Sequence, residues 1–181
     1  MTEPSQWRRR RGYRETIIGA ISAGFFLILV GIIFIMTPGL FSRILEFIQG
    51  GPEGFGILQI PNTGVYFFAP NNPFMAGHIT VYRAVQLFSL VWGIFQIVIL
   101  IIRVAVRSTL GRIAETASNI GFSLGATYLI GIFLVDRTWL TSSLPLTVWF
   151  AFWAAIIMLA GVTTIIRGVI LAAGLAARRA I

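Results

Sequence analysis

Four long stretches of the chain consist almost entirely of apolar residues, and each is long enough to cross a lipid bilayer. They cover residues 16–36, 82–102, 113–135 and 145–167, and the last continues as an apolar helix to about residue 177. An α-helix needs about 20 residues to cross the hydrocarbon core, at a rise of about 1.5 Å per residue. The pattern therefore predicts an all-α integral membrane protein with four transmembrane helices.

The segment between the first two spans, residues 37–81, is long enough to form structure of its own. Apolar side chains recur at helical spacing near its start, at Phe41, Ile44, Leu45 and Ile48. This spacing predicts a short amphipathic helix, which lies either on the outer membrane surface or against the transmembrane helices. Two apolar runs, residues 57–60 and 65–69, then flank the turn-forming sequence PNTG, which predicts a short β-hairpin in this outer loop.

The distribution of arginine predicts the orientation of the chain. All 14 basic residues are arginines, and with a cytoplasmic N-terminus eleven of them fall on the inner side. Those eleven are Arg8, Arg9, Arg10, Arg11, Arg14, Arg103, Arg107, Arg112, Arg167, Arg178 and Arg179. Basic residues favour the cytoplasmic side of a membrane, so we predict that both termini are cytoplasmic. Residues 1–15 then form a basic tail, and residues 16–181 form a single transmembrane domain.

The acidic residues leave the whole net charge on the inner side. Each side carries three of them, so the inner side has 11 − 3 = +8 and the outer side has 3 − 3 = 0, in agreement with the formal charge of +8. The tail arginines, residues 8–11 and 14, are predicted to set the topology. They either also anchor the chain to anionic lipid or have no lipid selectivity.

Composition agrees with a membrane protein and excludes much redox and metal chemistry. Hydrophobic residues make up 57% of the chain and charged residues 11%, against about 25% charged residues in soluble domains. With no cysteine and one histidine, the chain cannot supply disulfides, thiolate metal sites or bis-histidine haem ligation. We expect the one histidine, His78, to be a surface residue or a polar cap beside the second span. Because no catalytic or phosphate-binding motif is found, we predict a protein that is not an enzyme, has no cofactor and binds no nucleic acid.

Polar residues recur at every fourth position inside the third apolar stretch. They are Glu115, Asn119, Ser123 and Thr127. Residues four apart lie on one face of a helix, so these four form a stripe about 18 Å long. The second span carries a similar series at Gln86, Ser89, Gly93 and Gln96. We expect the two polar faces to meet, with a hydrogen bond between Gln96 and Ser123 at matching depth.

Glu115 lies near the predicted inner boundary of the membrane. An unpaired carboxylate is costly at such a position, so an ion pair with an arginine is expected. Arg167 and Arg103 are the predicted partners, because they lie at a similar depth on neighbouring spans. Arg112 is less suitable because it lies on the same helix, three residues earlier.

The polar stripe has two interpretations. It either holds helices together by hydrogen bonds or lines a hydrated pathway for an ion or a small polar solute. A row of small residues on the same span, Ala117, Gly121 and Gly125, would let helices approach closely. The first interpretation predicts a structural or accessory protein of the lipid bilayer, which associates as a homo-oligomer or with other integral membrane subunits. The second predicts a small oligomeric channel or transporter, since four helices barely enclose a pathway.

Overall fold

Helices account for most of the structure. The computed structural model describes residues 4–48, 55–59, 64–70, 76–136 and 145–179. In chain order the elements are α1 (Pro4–Met36), α2 (Leu40–Ile48), β1 (Phe55–Gln59), β2 (Tyr66–Pro70), α3 (Ala76–Ala105), α4 (Leu110–Ile130) and α5 (Pro145–Arg179). After Ile130 the chain continues as a five-residue π-helical segment, Gly131–Val135.

Within these ranges, four helical segments are long and apolar enough to cross a membrane. They are Glu15–Met36, Gly77–Ala105, Leu110–Val135 and Thr147–Ala177, with mean hydropathy between 1.6 and 2.7. The predicted all-α, multi-pass membrane fold is confirmed. The helices extend beyond the predicted spans, because backbone hydrogen bonding continues through polar interfacial residues where hydropathy has already fallen. The longest example is α1, which begins at Pro4, inside the predicted tail.

The membrane helices pack in the order α1, α3, α4, α5. The largest interface joins α3 and α4, while α1 packs mainly on α3 and α5 mainly on α4. No extensive contact joins α1 to α5 among the described residues. The arginine end of the protein carries the turn between α3 and α4, and the loop end carries α2 and the two strands.

At the loop end, α2 packs against the transmembrane helices. Gly39 has a φ of 75°, a left-handed conformation that suits glycine and allows the chain to reverse after α1. Leu40 is then buried in a cluster with Ile33 of α1 and Val81 of α3, and Ile44 packs at its edge. The predicted amphipathic helix is present and packs against the transmembrane helices through Leu40 and Ile44, while Phe41 and Ile48 on its other side are exposed.

The two strands form an antiparallel pair in which Leu58 lies opposite Phe67. Both side chains pack on the cluster that contains Tyr82 of α3 and Trp149 of α5. An isolated hairpin is marginally stable, so this packing supplies the support that it needs. The predicted turn residues 61–63 lie outside the described part of the chain.

Candidate functional site

The polar stripe of α4 is divided between buried and exposed positions. Ser123 is buried, Glu115 and Thr127 are half-buried, and Asn119 is exposed. The Thr127 hydroxyl donates to the backbone oxygen of Ser123 at 2.9 Å, within the same helix. Because Asn119 and Ser123 differ so much in burial, the four residues do not act as one continuous polar face.

Gln86 makes the polar contact between α3 and α4 near the loop end. Its Nε2 donates to the backbone oxygen of Thr127 at 3.3 Å. The same nitrogen lies 2.7 Å from the place that a Cβ at Gly131 would take, so a larger residue there would displace the flexible end of the Gln86 side chain. The carbonyl of Thr127 belongs to the last turn of α4 before the π-helical segment, where hydrogen-bonding geometry changes and a side chain can compete for a backbone acceptor.

The predicted hydrogen bond between Gln96 and Ser123 is wrong. Both residues are buried, but Ser123 lies beside Gly93, where a Cβ would be 3.3 Å from the Ser123 Cβ. Gln96 lies three residues further along α3, about 4.5 Å closer to the arginine end. The cause is the register of the turn. Gly93 lies ten residues before Arg103 and Ser123 lies eleven residues after Arg112, so their contact puts Arg103 about level with Arg112, whereas the prediction placed it level with a residue three positions later.

The small residues of α4 pack against α5 of the same chain. A Cβ at Gly125 would lie 2.5 Å from Leu159 Cδ1, and one at Gly121 would lie 3.4 Å from Thr163 Cγ2. Next to them, the Ser118 hydroxyl donates to the backbone oxygen of Thr163 at 2.9 Å. The third member of the row, Ala117, is half-buried. The GxxxG sequence therefore lets α4 and α5 approach closely within one protomer.

Glu115 forms an ion pair with Arg112, with 3.1 Å between Oε2 and Nη1. The prediction that its partner is Arg167 or Arg103 is therefore wrong. Two residues three apart on one helix are already neighbours, so this pair needs no approach between helices. Arg167 is exposed on α5 and has no ion pair within the described residues.

Arg103 binds uncharged acceptors and joins the ends of α3 and α4. Its Nη1 donates to the backbone oxygen of Arg112 at 2.9 Å and to Thr116 Oγ1. Thr116 is fully buried and donates in turn to the same Arg112 oxygen at 2.8 Å. Thr116 was not among the residues predicted from the sequence. Its signal was a position seven residues before Ser123, which places both on the α3 side of α4.

A groove of about 340 Å³ lies between α3 and α4. It is lined by Phe88, Ser89, Trp92, Asn119, Phe122, Ser123 and Ala126. Asn119 is seven residues after Arg112, which places it about 10 Å from the arginine end, within the apolar segment Leu110–Val135. Its side-chain amide has no hydrogen-bond partner among the described residues, and it is exposed. The groove thus combines an apolar rim with an amide and two hydroxyls.

A second polar cluster lies beneath α2 at the loop end. His78 is only 3% exposed, so the expectation of a surface residue is wrong. Its ring packs edge-on against Phe47, with 4.7 Å between ring centroids. The Nδ1 atom of His78 and the hydroxyl of Tyr82 are both buried without a hydrogen-bond partner in the described part of the chain. Hydropathy alone does not reveal this burial, because α2 comes from a separate segment.

The remaining predicted residues give no further site. The tail arginines at positions 8–11 and 14 lie on the first turns of α1, but their side chains lie outside what the structure describes. Within the described ranges, no group of His, Cys, Asp and Glu side chains is arranged to hold a metal ion. Comparisons with family models, with curated proteins and with solved structures find no match to this chain.

Proposed function

We propose that this is a structural or accessory membrane protein, which acts by binding other transmembrane helices through the groove between α3 and α4. The partner is a second copy of the chain or another integral membrane subunit. Asn119 is the observation that supports this proposal. In hydrocarbon an amide without a partner is costly, and a hydrogen bond from a neighbouring helix removes that cost.

The surroundings of Asn119 suit a helix better than a small solute. Phe88, Trp92 and Phe122 supply apolar contact area around it, and Ser89 and Ser123 supply hydroxyls. Interhelical hydrogen bonds in membranes contribute about 0.6–2 kcal/mol each. The small-residue row, in contrast, is occupied by α5, so it offers no second surface for association.

The proposed orientation places the arginine end and both termini in the cytoplasm. It rests on the positive-inside bias, eleven arginines against three. Reporters fused after residue 181 and within residues 50–64 test it. Cytoplasmic signal from the first and external signal from the second support the orientation, and the opposite pair of signals contradicts it.

The association proposal is tested by the single substitution Asn119→Leu, measured by native mass spectrometry after gentle detergent extraction. We expect an oligomer or a co-purifying integral subunit for the wild type. The variant should associate about 3-fold to 30-fold more weakly, as the loss of 0.6–2 kcal/mol implies. Thr164→Val is the matched control, because that exposed hydroxyl bonds only to the Ala160 oxygen of its own helix.

A monomeric wild type that purifies alone, or an Asn119→Leu protein that associates like the control, would contradict the proposal. The alternative is an oligomeric channel or transporter in which Ser89, Asn119 and Ser123 face water. Single cysteines at 119 and 123 distinguish the two functions, because the chain has no native cysteine. Rapid labelling of both by a small aqueous thiol reagent in the assembled protein supports a pathway, and protection of both supports helix association.

A further inference from the structure

The arginine end holds positive charge that its own side chains do not neutralise. Four charged side chains surround the turn between α3 and α4: Arg103, Arg107, Arg112 and Glu115. They sum to 3 − 1 = +2. The single carboxylate is paired with Arg112, while Arg103 binds only uncharged oxygens. Arg107 is exposed and makes no ion pair with a described residue.

The loop end does not share this excess. Its described charged side chains are Arg43, Glu46, Arg83 and Asp136, which sum to 2 − 2 = 0. Arg43 and Glu46 also pair with each other at 2.8 Å. An anion that binds one end of this protein by charge therefore selects the arginine end.

The turn holds Arg107 in a defined position beside Arg103. The backbone N–H of Ser108 donates to the Arg103 oxygen at 2.9 Å, and that of Arg107 donates to the Val104 oxygen at 3.1 Å. This pair of bonds is a Schellman motif, with Arg107 in the left-handed conformation at a φ of 54°. Both bonds fix the backbone of the turn, and the side chain of Arg107 is exposed beside it.

Apolar side chains extend from this turn toward the membrane centre. Val98, Ile101 and Val104 are all exposed on α3. A ligand with both an anionic headgroup and acyl chains contacts the arginines and this apolar surface together, which a free phosphate ion cannot do. We infer that the turn between α3 and α4 binds the phosphate of an anionic phospholipid through Arg107 and Arg112, with the acyl chains against α3.

The proposed lipid site is independent of the groove at Asn119, because it lies at the start of α4 and Asn119 lies near the middle of that helix. At this site the Glu115 carboxylate competes with the lipid phosphate for Arg112. Glu115 forms an ion pair with the Arg112 guanidinium. Glu115→Gln should therefore free that guanidinium for the phosphate and strengthen lipid binding. Arg112→Gln should have the opposite effect. A purely structural role for the Arg112–Glu115 pair predicts the same sign of change for both variants.

Native mass spectrometry of the full chain, titrated with phosphatidylglycerol or phosphatidylcholine, tests the site. Each basic residue near an anionic surface contributes about 1 kcal/mol, so Arg107→Asn and Arg112→Gln should each weaken phosphatidylglycerol binding about fivefold. Neither should change phosphatidylcholine binding. Asparagine is chosen at position 107 because it tolerates the left-handed backbone conformation. Arg83→Gln removes one exposed charge at the loop end and should leave both affinities unchanged.

Two further arms separate this site from other sources of binding. Neutralising Arg8, Arg9, Arg10 and Arg11 together should preserve the fivefold effect of Arg107→Asn. If instead all preference for phosphatidylglycerol disappears with the tail charges, the site is overturned. Inorganic phosphate at equal concentration should not compete, and equal competition would overturn the assignment to a lipid. Wild-type affinity in both Arg107→Asn and Arg112→Gln would also overturn it.

Discussion

Gly93 of α3 lies in close contact with α4, so replacing it by alanine should separate the two helices. A Cβ at this position would lie 2.8 Å from Leu124 Cδ2, 3.1 Å from Leu124 Cγ and 3.3 Å from Ser123 Cβ. Carbon atoms pack best at about 3.5–4.0 Å. The leucine can move by changing its rotamer, but the Ser123 Cβ moves only with the backbone of α4.

The expected magnitude combines a steric cost with a gain in helix propensity. Overpacking by one methyl group costs about 1–3 kcal/mol, while glycine to alanine within a helix gains up to about 1 kcal/mol. Gly161→Ala on α5 isolates the second contribution, because a Cβ there would meet nothing within 4 Å. The free energies of unfolding of the two variants should therefore differ by about 1–3 kcal/mol, with Gly93→Ala the less stable.

Unfolding titrations with sodium dodecyl sulfate in mixed micelles measure both variants under the same conditions. Adding Leu124→Ala to Gly93→Ala should recover part of the loss, because two of the three close contacts involve that side chain. The double variant thus gives a favourable coupling energy between residues in contact. If Gly93→Ala is as stable as Gly161→Ala, then α3 and α4 do not approach as closely as the structure has them.

Two other substitutions test single features by the same unfolding titration. Tyr82→Phe removes a buried hydroxyl that has no partner in the described part of the chain, so the free energy of unfolding should stay equal or rise by up to about 1 kcal/mol. A decrease of more than about 1 kcal/mol would mean that the hydroxyl is hydrogen-bonded. Arg107→Gly relieves the strain of a left-handed backbone conformation, so it should raise the free energy of unfolding in neutral detergent by about 1 kcal/mol, whereas Arg107→Ala should not raise it. Equal stability of the two variants would contradict this account of the turn.

The row of small residues correctly predicted a close contact between helices but did not specify which helix makes it. Gly121 and Gly125 do permit close approach, as their spacing predicts. Spacing does not say which helix approaches, and here it is α5 of the same chain. The Glu115 pair failed for a related reason. Its predicted partners were chosen by depth, but depth counted along separate helices carries an error of several residues until a turn sets the register.

The sequence by itself determined the membrane class, the four spans, the short amphipathic helix and the close packing at Gly121 and Gly125. These follow from hydropathy, helical periodicity and side-chain size, which are properties of one segment at a time. The tertiary structure decided that Ser123 meets Gly93, that Arg103 holds Thr116, that His78 is buried and that Asn119 is exposed. Each of these depends on the rotation and register of two helices, which the polar pattern of either helix alone does not specify. An amide or a hydroxyl without a partner in an apolar environment is costly, and only the packing shows whether a partner lies within the chain.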